Sequence, residues 1–376
     1  MRILHTGDLH MDSPFCGSSL AVSEKRREMQ RELLGRIFDV AVEEGCQMIL
    51  IAGDLFDSRY VTPETEKYVK ELFSRINMPV VISPGNHDPY VTGSFYKSIP
   101  LSENVYVFSS SELQRFDFPE LGASVYGYAF TSQSMTSDPL AGQADASLNG
   151  NIALLCAHGE LSALVSRYCP LDPKNIVNMG IDYAALGHVH KQGDNGGEYQ
   201  NIRYCGFPEG RSFDELHEGT VIIADVEKDG CVSVRRRVVS KQRYEIVELD
   251  VSGCFVREDI AKKIRESAEK LGDVENTNLR VCLVGSAEPS LIGEITSDMS
   301  DLAGDLASLE IKDLTYPVED ISSLKADISV RGAFYNALYS GLTSDDPEVR
   351  ARHVRALQIG LAAIDGRRIP LEESEA

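Results

Sequence analysis

Over the first two thirds of the chain, short apolar runs alternate with longer amphipathic stretches. The runs fall at Arg2 to Thr6, Met48 to Ala52, Val80 to Ser83, Val105 to Phe108, Val125 to Tyr128, Ile152 to Ala157 and Tyr183 to Leu186. Their length and aliphatic content predict buried strands. Between the first two, Glu24 to Glu44 places Leu33, Leu34, Ile37, Phe38 and Val42 at helical spacing among charged residues, which predicts a helix with one apolar face. A second helix is expected from Pro63 to Ile76, with Pro63 suited to its first turn. Strand and helix in alternation is the pattern of a layered α/β architecture.

Further strands are expected around Ile202 to Cys205, Val221 to Val226 and Val232 to Val238, enough for a second sheet. Gln192 to Glu198 (QGDNGGE) carries a strong hairpin-turn signal. Residues 132–150 lack apolar periodicity and read as a long surface loop. From Tyr244 the pattern changes. Strands at Tyr244 to Val251 and Leu279 to Val284 flank a helix near Arg257 to Leu271, the outline of a small α+β domain. Gly332 to Leu342 and Pro347 to Ile364 then read as two helices joined by Thr343-Ser-Asp-Asp, with Phe334, Leu338 and Leu342 in one apolar stripe. The expected division is 1–244, 245–328 and 329–376.

At 376 residues the chain exceeds what one core usually organises. Apolar residues at 43% and charged residues at 25% exclude a fibrous or disordered class and suit an enzyme or binding protein. The eight cysteines are scattered without a C-x-x-C pair, as reduced thiols in a reducing compartment would be. The apolar runs are too short to span a bilayer, and Met1 leads directly into a strand without the apolar stretch of a signal peptide. A cytoplasmic protein with no membrane association is the expectation. The net charge of −21 bears on nucleic acid, because phosphates must be met by Lys and Arg. The acidic excess is concentrated after Tyr244, and one basic cluster, Arg235-Arg236-Arg237 with Lys241 and Arg243, is either a solvated strand face or a phosphate-contacting rim.

The chemistry lies in five short motifs, each directly after a strand-like run: Gly7-Asp8-Leu9-His10, Gly53-Asp54-Leu55-Phe56-Asp57, Gly85-Asn86-His87-Asp88, Ala157-His158-Gly159-Glu160 and Gly187-His188-Val189-His190. That placement puts them on loops at one edge of a sheet. Carboxylates, imidazoles and one carboxamide without a thiolate suit hard to borderline divalent ions. A pair of ions needs a bridging ligand, and Asp54 is the expected bridge. In an extended strand end Asp8 and His10 point to one side and could chelate together; His188 and His190 repeat the spacing, one imidazole for each ion. A lone Asp-x-His or histidine is more often a turn or core feature. Here His10, His87, His158, His188 and His190, five of the eight histidines, fall in ordered motifs with complementary ligand types. His5 reads as core, and His217 and His353 have no supporting context.

The ordered set D-x-H, GD-x-x-D, GNHD, H-G and GH-x-H resembles the calcineurin-like metallophosphoesterase superfamily over residues 1 to about 240. The GDLFD, GNHD, AHG and GHVH wording and the stretch Tyr204-Cys-Gly-Phe-Pro-Glu-Gly-Arg-Ser-Phe are similar to the SbcD-type DNA repair exonucleases. The resemblance implies a four-layer α-β-β-α sandwich, followed by a small α+β capping domain and C-terminal helices. It implies two divalent ions, usually Mn²⁺, one held by Asp8, His10, Asp54 and His190 and the other by Asp54, Asn86, His158 and His188. His87 would be the catalytic imidazole near the scissile phosphate, oriented by Asp88. Asp57 could support a metal-bound histidine or stabilise a turn. The partners implied are DNA, a coiled-coil SbcC-like ABC ATPase bound through the C-terminal helices, and a second copy of the chain. Two other classes stand beside a nuclease: a phosphodiesterase or phosphatase for a small phosphate ester, and a structural subunit with a silent site. A protein serine/threonine phosphatase fits less well, since those typically end the third motif in Glu where this chain has Asp88.

Overall fold

The computed structural model describes residues 1–13, 20–57, 61–98, 100–144, 146, 150–161, 165–191, 199–228, 232–297, 302–317 and 321–366, and within them the apolar runs of the first two thirds are strands. In chain order the elements are β1 (Arg2–Thr6), α1 (Leu20–Glu43), β2 (Met48–Ile51), α2 (Pro63–Arg75), β3 (Val80–Ile82), α3 (Phe95–Ser98), β4 (Val105–Val107), β5 (Gln114–Phe118), β6 (Ala123–Gly127), β7 (Ile152–His158), β8 (Glu160–Leu161), β9 (Pro170–Leu171), α4 (Pro173–Asn178), β10 (Tyr183–Gly187), β11 (Ile202–Tyr204), β12 (His217–Val226) and β13 (Val232–Asp250). The chain divides into two compact units, Met1–Tyr244 and Glu245–Ala376.

In the first unit one sheet has the order β13-β12-β1-β2-β3-β4 and the other β11-β10-β7-β6-β5. Strands β1 to β4 are mutually parallel, as are β6, β7, β10 and β11. Successive side chains of a strand point to opposite faces, and that alternation builds the layers. Ile3, Met48, Leu50 and Val81 of the first sheet meet Val125, Leu154, Cys156, Tyr183 and Ala185 of the second in one buried cluster. The intervening Leu4, Ile49, Ile51, Val80 and Ile82 face the other way, against Leu33, Leu34, Ile37 and Phe38 of α1 and Val69 and Phe73 of α2. On the far side, Leu155, Ala157, Ala184 and Leu186 pack with Ile176 of α4. The result is the expected four-layer α-β-β-α sandwich.

Several details differ from the sequence expectations. Val42 faces outward at 59% exposure while Ala41 is buried. No Gly or Pro interrupts Val232 to Asp250, so the strand expected to begin at Tyr244 is the end of one long β13. The segment of residues 132–150, in its described part, is a loop that nevertheless buries Met135, Leu140 and Ala146. The expected turn at Gln192 to Glu198 lies outside the described residues. The basic cluster is engaged in ion pairs: Arg235 and Arg237 both meet Glu44 at the end of α1, Lys241 meets Glu32, and Arg236 donates to the carbonyls of Tyr204 and Cys205.

The second unit contains α5 (Arg257–Leu271), β14 (Thr277–Val284), β15 (Ser286–Ala287), α6 (Pro289–Ser297), β16 (Ser308–Asp313), β17 (Tyr316–Pro317), α7 (Ile321–Ala326), α8 (Val330–Leu342) and α9 (Pro347–Ile364). β14 pairs with β16 in parallel. Leu279, Val281 and Leu283 pack on Ile260 and Ile264 of α5 and Leu291 and Ile295 of α6. The stripe Phe334, Leu338 and Leu342 is partly buried against Leu324, Tyr335, Leu357 and Leu361. No described helix is long and apolar enough to cross a membrane.

His5 links the two sheets of the first unit and is core, as its context suggests. Its Nδ1 lies 2.9 Å from the Tyr183 hydroxyl and its Nε2 3.1 Å from the Leu186 carbonyl. A carbonyl only accepts, so Nε2 carries the proton and Nδ1 accepts from the tyrosine. Burial, against the carbonyl hydrogen bond, pulls the imidazole down to about 3. Below pH ~6.5 the unfolded chain therefore takes up a proton that the folded chain refuses, and stability falls with pH until the folded value is reached. Relative to His5→Gln, the wild type should lose about 1.4 kcal/mol per pH unit between pH 6 and 4. Denaturant unfolding across that range measures it, and parallel profiles would contradict it.

Candidate metal centre

The motifs occupy the carboxyl ends of β1, β2 and β3 in one sheet and of β7 and β10 in the other. They do not share a single sheet edge, and the site forms where the two sheets' ends meet. His158 is the last residue of β7 rather than part of a loop. The loops after β1 and β2 run side by side, joined by Asp8 N–H to the Gly53 carbonyl (3.0 Å) and His10 N–H to the Asp54 carbonyl (2.9 Å). Nor is the strand end at Asp8 and His10 extended. Asp8 (φ 53°), His10 (φ 47°), Asp54 (φ 49°) and His188 (φ 101°) all have left-handed backbones, a conformation costing non-glycine residues of order 1–3 kcal/mol each and concentrated at functional sites. Two glycines permit the close approach. A Cβ at Gly53 would sit 2.2 Å from His158 Nδ1, and one at Gly85 would sit 2.2 Å from Asp54 Oδ1.

Hydrogen bonds behind the imidazoles fix which nitrogen faces inward. His10 Nδ1 is 3.0 Å from Asp57 Oδ1, His190 Nδ1 is 2.7 Å from Glu215 Oε1, and His158 Nδ1 is 3.0 Å from the Ala52 carbonyl. Each of those partners accepts, so each Nδ1 carries a proton, and the ring in its neutral form presents its Nε2 lone pair to the centre. His10 Nε2 and His190 Nε2 then face each other at 3.2 Å, with Asp8 Oδ1 3.7 Å from His190 Nε2. His158 Nε2 lies 2.9 Å from Asn86 Oδ1 and 3.3 Å from Asp54 Oδ2. The same Asp54 oxygen is 3.8 Å from His10 Nε2, while Asp54 Oδ1 accepts the His87 backbone N–H at 2.9 Å. With the rings neutral, these lone pairs aimed at one another in a buried place suit a shared cation, and the mix of carboxylates, imidazoles and a carboxamide fits divalent metal ions.

Ligand atoms lying within 4.8 Å of one another define three overlapping groups: Asp8, His10 and His190; Asp8, Asp54 and His158; and His10, Asp54 and His87. Asp8, His10 and Asp54 are each 2% exposed and His158 is fully buried. His188 lies outside these groups. Its ring contacts that of His158 (centroids 5.2 Å), and its backbone N–H donates to both Asp8 oxygens at 3.1 and 3.0 Å. Asp88 is 1% exposed and does not touch the His87 ring as expected; its oxygens accept from Gly85 N–H (2.8 Å), Phe56 N–H (3.1 Å) and the Tyr96 hydroxyl (2.6 Å). Asp57 takes the orienting place, its Oδ1 2.8 Å from His87 Nδ1. The same oxygen is 3.0 Å from His10 Nδ1, so Asp57 stands between the two rings. Glu215 and Arg211 were not legible as site residues. Arg211 Nη2 lies 2.7 Å from Glu215 Oε1, and only their i,i+4 spacing near the Tyr204 to Phe213 stretch hinted at the pair.

The charges balance accordingly. Burial pulls His158 down, but Asp54 and Asp8 outweigh it and raise the imidazole to about 9. Burial, then the neighbouring His158, lowers His188 to about 4. Burial opposes ionisation of Glu215, yet His190 and Arg211 hold it at about 2. Burial and the Asp54 charge push Asp88 up to about 6. The hydrogen bond to Asp57 raises His87 despite partial burial.

Carboxylates behind metal-binding histidines typically contribute 10- to 100-fold in affinity. Glu215→Gln should therefore weaken Mn²⁺ binding by about that factor, read by calorimetry at fixed pH. Unchanged affinity would show that Glu215 only anchors Arg211.

A sequence model of the calcineurin-like phosphoesterases matches residues 1–192. The chain is 25% identical over 362 residues to the uncharacterized metallophosphoesterase YhaO of Bacillus subtilis, covering 92% of this chain and 88% of that one. It is 24% identical over 374 residues to the DNA double-strand break repair protein Mre11 of Haloferax volcanii, covering 97% and 76%. It is 28% identical over 262 residues to the SbcD component of the nuclease SbcCD of Escherichia coli, covering 57% and 62%. The motifs, the sandwich that carries them and the match over the first half of the chain agree: this chain belongs to the calcineurin-like phosphoesterase family, a family of metal-dependent phosphoester hydrolases.

Proposed function

We propose that the chain is a two-metal phosphodiesterase acting on DNA ends, working as a nuclease in DNA repair beside a coiled-coil ABC-type ATPase, with Mn²⁺ as its metal. The observation that carries the reading is the convergence of Nε2 and carboxylate lone pairs from five motifs beside a half-exposed His87. Asp8, His10, Asp54 and His190 would hold one ion and Asp54, Asn86, His158 and His188 the other. Asp54 would be shared between the two sets, since its Oδ2 lies 3.8 Å from His10 Nε2 and 3.3 Å from His158 Nε2. Bound there, divalent ions would supply Lewis acidity to the phosphate and to a water.

The protein's own groups do the rest. Asp57 accepts from His87 Nδ1 and raises the imidazole, favouring its protonated form, while His87 Nε2 has no hydrogen-bond partner among the described residues and the side chain is 45% exposed. That nitrogen gives its proton to the leaving oxygen. Asp88 fixes the loop that carries Asn86 and His87, through Gly85 and Phe56. DNA as substrate draws its support from the named repair and nuclease relatives and from the sequence resemblance.

A second reading, a phosphodiesterase or phosphatase for a small ester, is favoured by charge. The net charge is −21, and the basic cluster after β12 is spent on Glu44 and Glu32, so the DNA reading needs cations elsewhere on the first unit or from the ATPase.

With Mn²⁺, the purified chain should degrade linear DNA. His87→Ala should lower kcat by about 10²–10⁴-fold while metal affinity is retained. Hydrolysis of bis-p-nitrophenyl phosphate with no cleavage of any DNA, even with the ATPase present, would select the small-ester reading. Asp57→Asn removes the group that raises His87. With saturating metal, the alkaline limb of its kcat/KM profile should move to lower pH, and an unmoved limb would remove His87 as the acid.

A further inference from the structure

β11 ends at Tyr204, and the next residue carries a thiol to the back of the candidate metal centre. Cys205 is 1% exposed, and its backbone is held from two sides. Its N–H donates to the Leu186 carbonyl of β10 at 3.0 Å. Its carbonyl accepts from Arg236 Nη1 of β13 at 2.7 Å, so a member of the basic cluster fixes the place of this residue.

A neutral thiol is the ordinary state of cysteine near neutral pH, and burial together with the Asp8 charge pushes this one further up. The group is therefore a donor, and two acceptors are within reach: Asp8 Oδ2 at 3.5 Å and the Gly206 carbonyl at 3.2 Å. A carboxylate makes roughly twice as strong a hydrogen bond as a neutral carbonyl, which favours Asp8. Among the described cysteines no other thiol bonds a candidate ligand. Cys156 lies against the carbonyls of Ile51 and Val81, and Cys169 against the Tyr128 hydroxyl and the Ser137 carbonyl.

The two oxygens of Asp8 have different surroundings. Oδ1 lies 3.7 Å from His190 Nε2, on the side of the other candidate ligands. Oδ2 takes the thiol. The His188 backbone N–H reaches both, at 3.1 and 3.0 Å, and so does not choose between them. Cys205 is the only side chain that hydrogen-bonds Asp8 among the described residues. Asp57, Glu215 and the Ala52 carbonyl stand behind His10, His190 and His158; behind Asp8 stands Cys205.

We propose that Cys205 is a positioning residue of the metal centre, its thiol donating to Asp8 Oδ2 and so turning Oδ1 toward His190 and the ion the two would share. The proposal rests on the metal-centre reading and is independent of the substrate. Groups that orient a metal ligand in this way are typically worth 10- to 100-fold in affinity.

Calorimetric titration of the full chain with Mn²⁺ provides the first test. In Cys205→Ala one of the two Mn²⁺ affinities should fall about tenfold while the other stays within about twofold of wild type. Unchanged affinities overturn the proposal. So does an equal loss at both ions, which marks a loosened site rather than a turned Asp8. The infrared S–H stretch provides the second test, on the wild-type chain. Metal drawn to Asp8 takes charge from the acceptor and weakens the S–H···O bond. One S–H band should therefore move to higher frequency on loading with Mn²⁺, and its loss in Cys205→Ser assigns it. S–H bands that all stay in place overturn the proposal even if Cys205→Ala does not fold. The two readings fail separately. A wild-type chain that takes up no Mn²⁺ ends the metal-centre reading and this proposal with it, whereas Mn²⁺ uptake without the band shift or the selective loss ends only the role of Cys205.

Discussion

Asp54 is the residue on which the rest of the first unit's rim depends. A carboxylate at 2% exposure is costly to bury unless its charge is met. Here the His87 backbone N–H meets one oxygen, and the other lies among the Nε2 atoms of His158 and His10, where a shared cation would meet its charge. To bring those groups together, the chain accepts left-handed backbones at four candidate ligands and glycines at Gly53 and Gly85, where any Cβ would collide. These local costs are tolerable because the strands behind them are buried on both faces, so the rim stands on a rigid base.

The two-sheet architecture follows from alternation along single strands. Ile3 and Leu4, or Leu50 and Ile51, belong to different cores although they are neighbours in sequence. Parallel order then carries every functional turn in each sheet to the same end. His5 of β1, buried against β10, adds a polar tie between the sheets. The fold thus sets ligand distances that no one loop could set alone.

Much of this was legible in the sequence, for identifiable reasons. Aliphatic runs followed by Gly-Asp, Gly-Asn-His or Gly-His mark both the strands and the ligand-bearing turns, because strand burial and ligand chemistry impose residue types locally. The parts that were not legible depend on distant contacts. Glu215 becomes a site residue only because the chain returns after β11 to lie behind His190. Asp57 and Asp88 are both carboxylates in motif turns, and only packing decides that Asp57 meets the His87 ring while Asp88 goes beneath the loop. β5 and β16 interleave exposed or charged residues with apolar ones, and their runs are too short to stand out. The partners of the basic cluster were likewise hidden from the sequence: Glu32 of α1 and Glu44 just beyond it pair with Lys241 and Arg235.

The central claim is that the lone pairs around Asp54 converge on a pair of metal ions. Anomalous diffraction from crystals of the chain soaked in MnCl₂ tests it most directly. Two peaks about 3.5–4 Å apart, both within bonding distance of the Asp54 carboxylate, are the predicted result. A single peak, or none beside Asp54, would contradict the account.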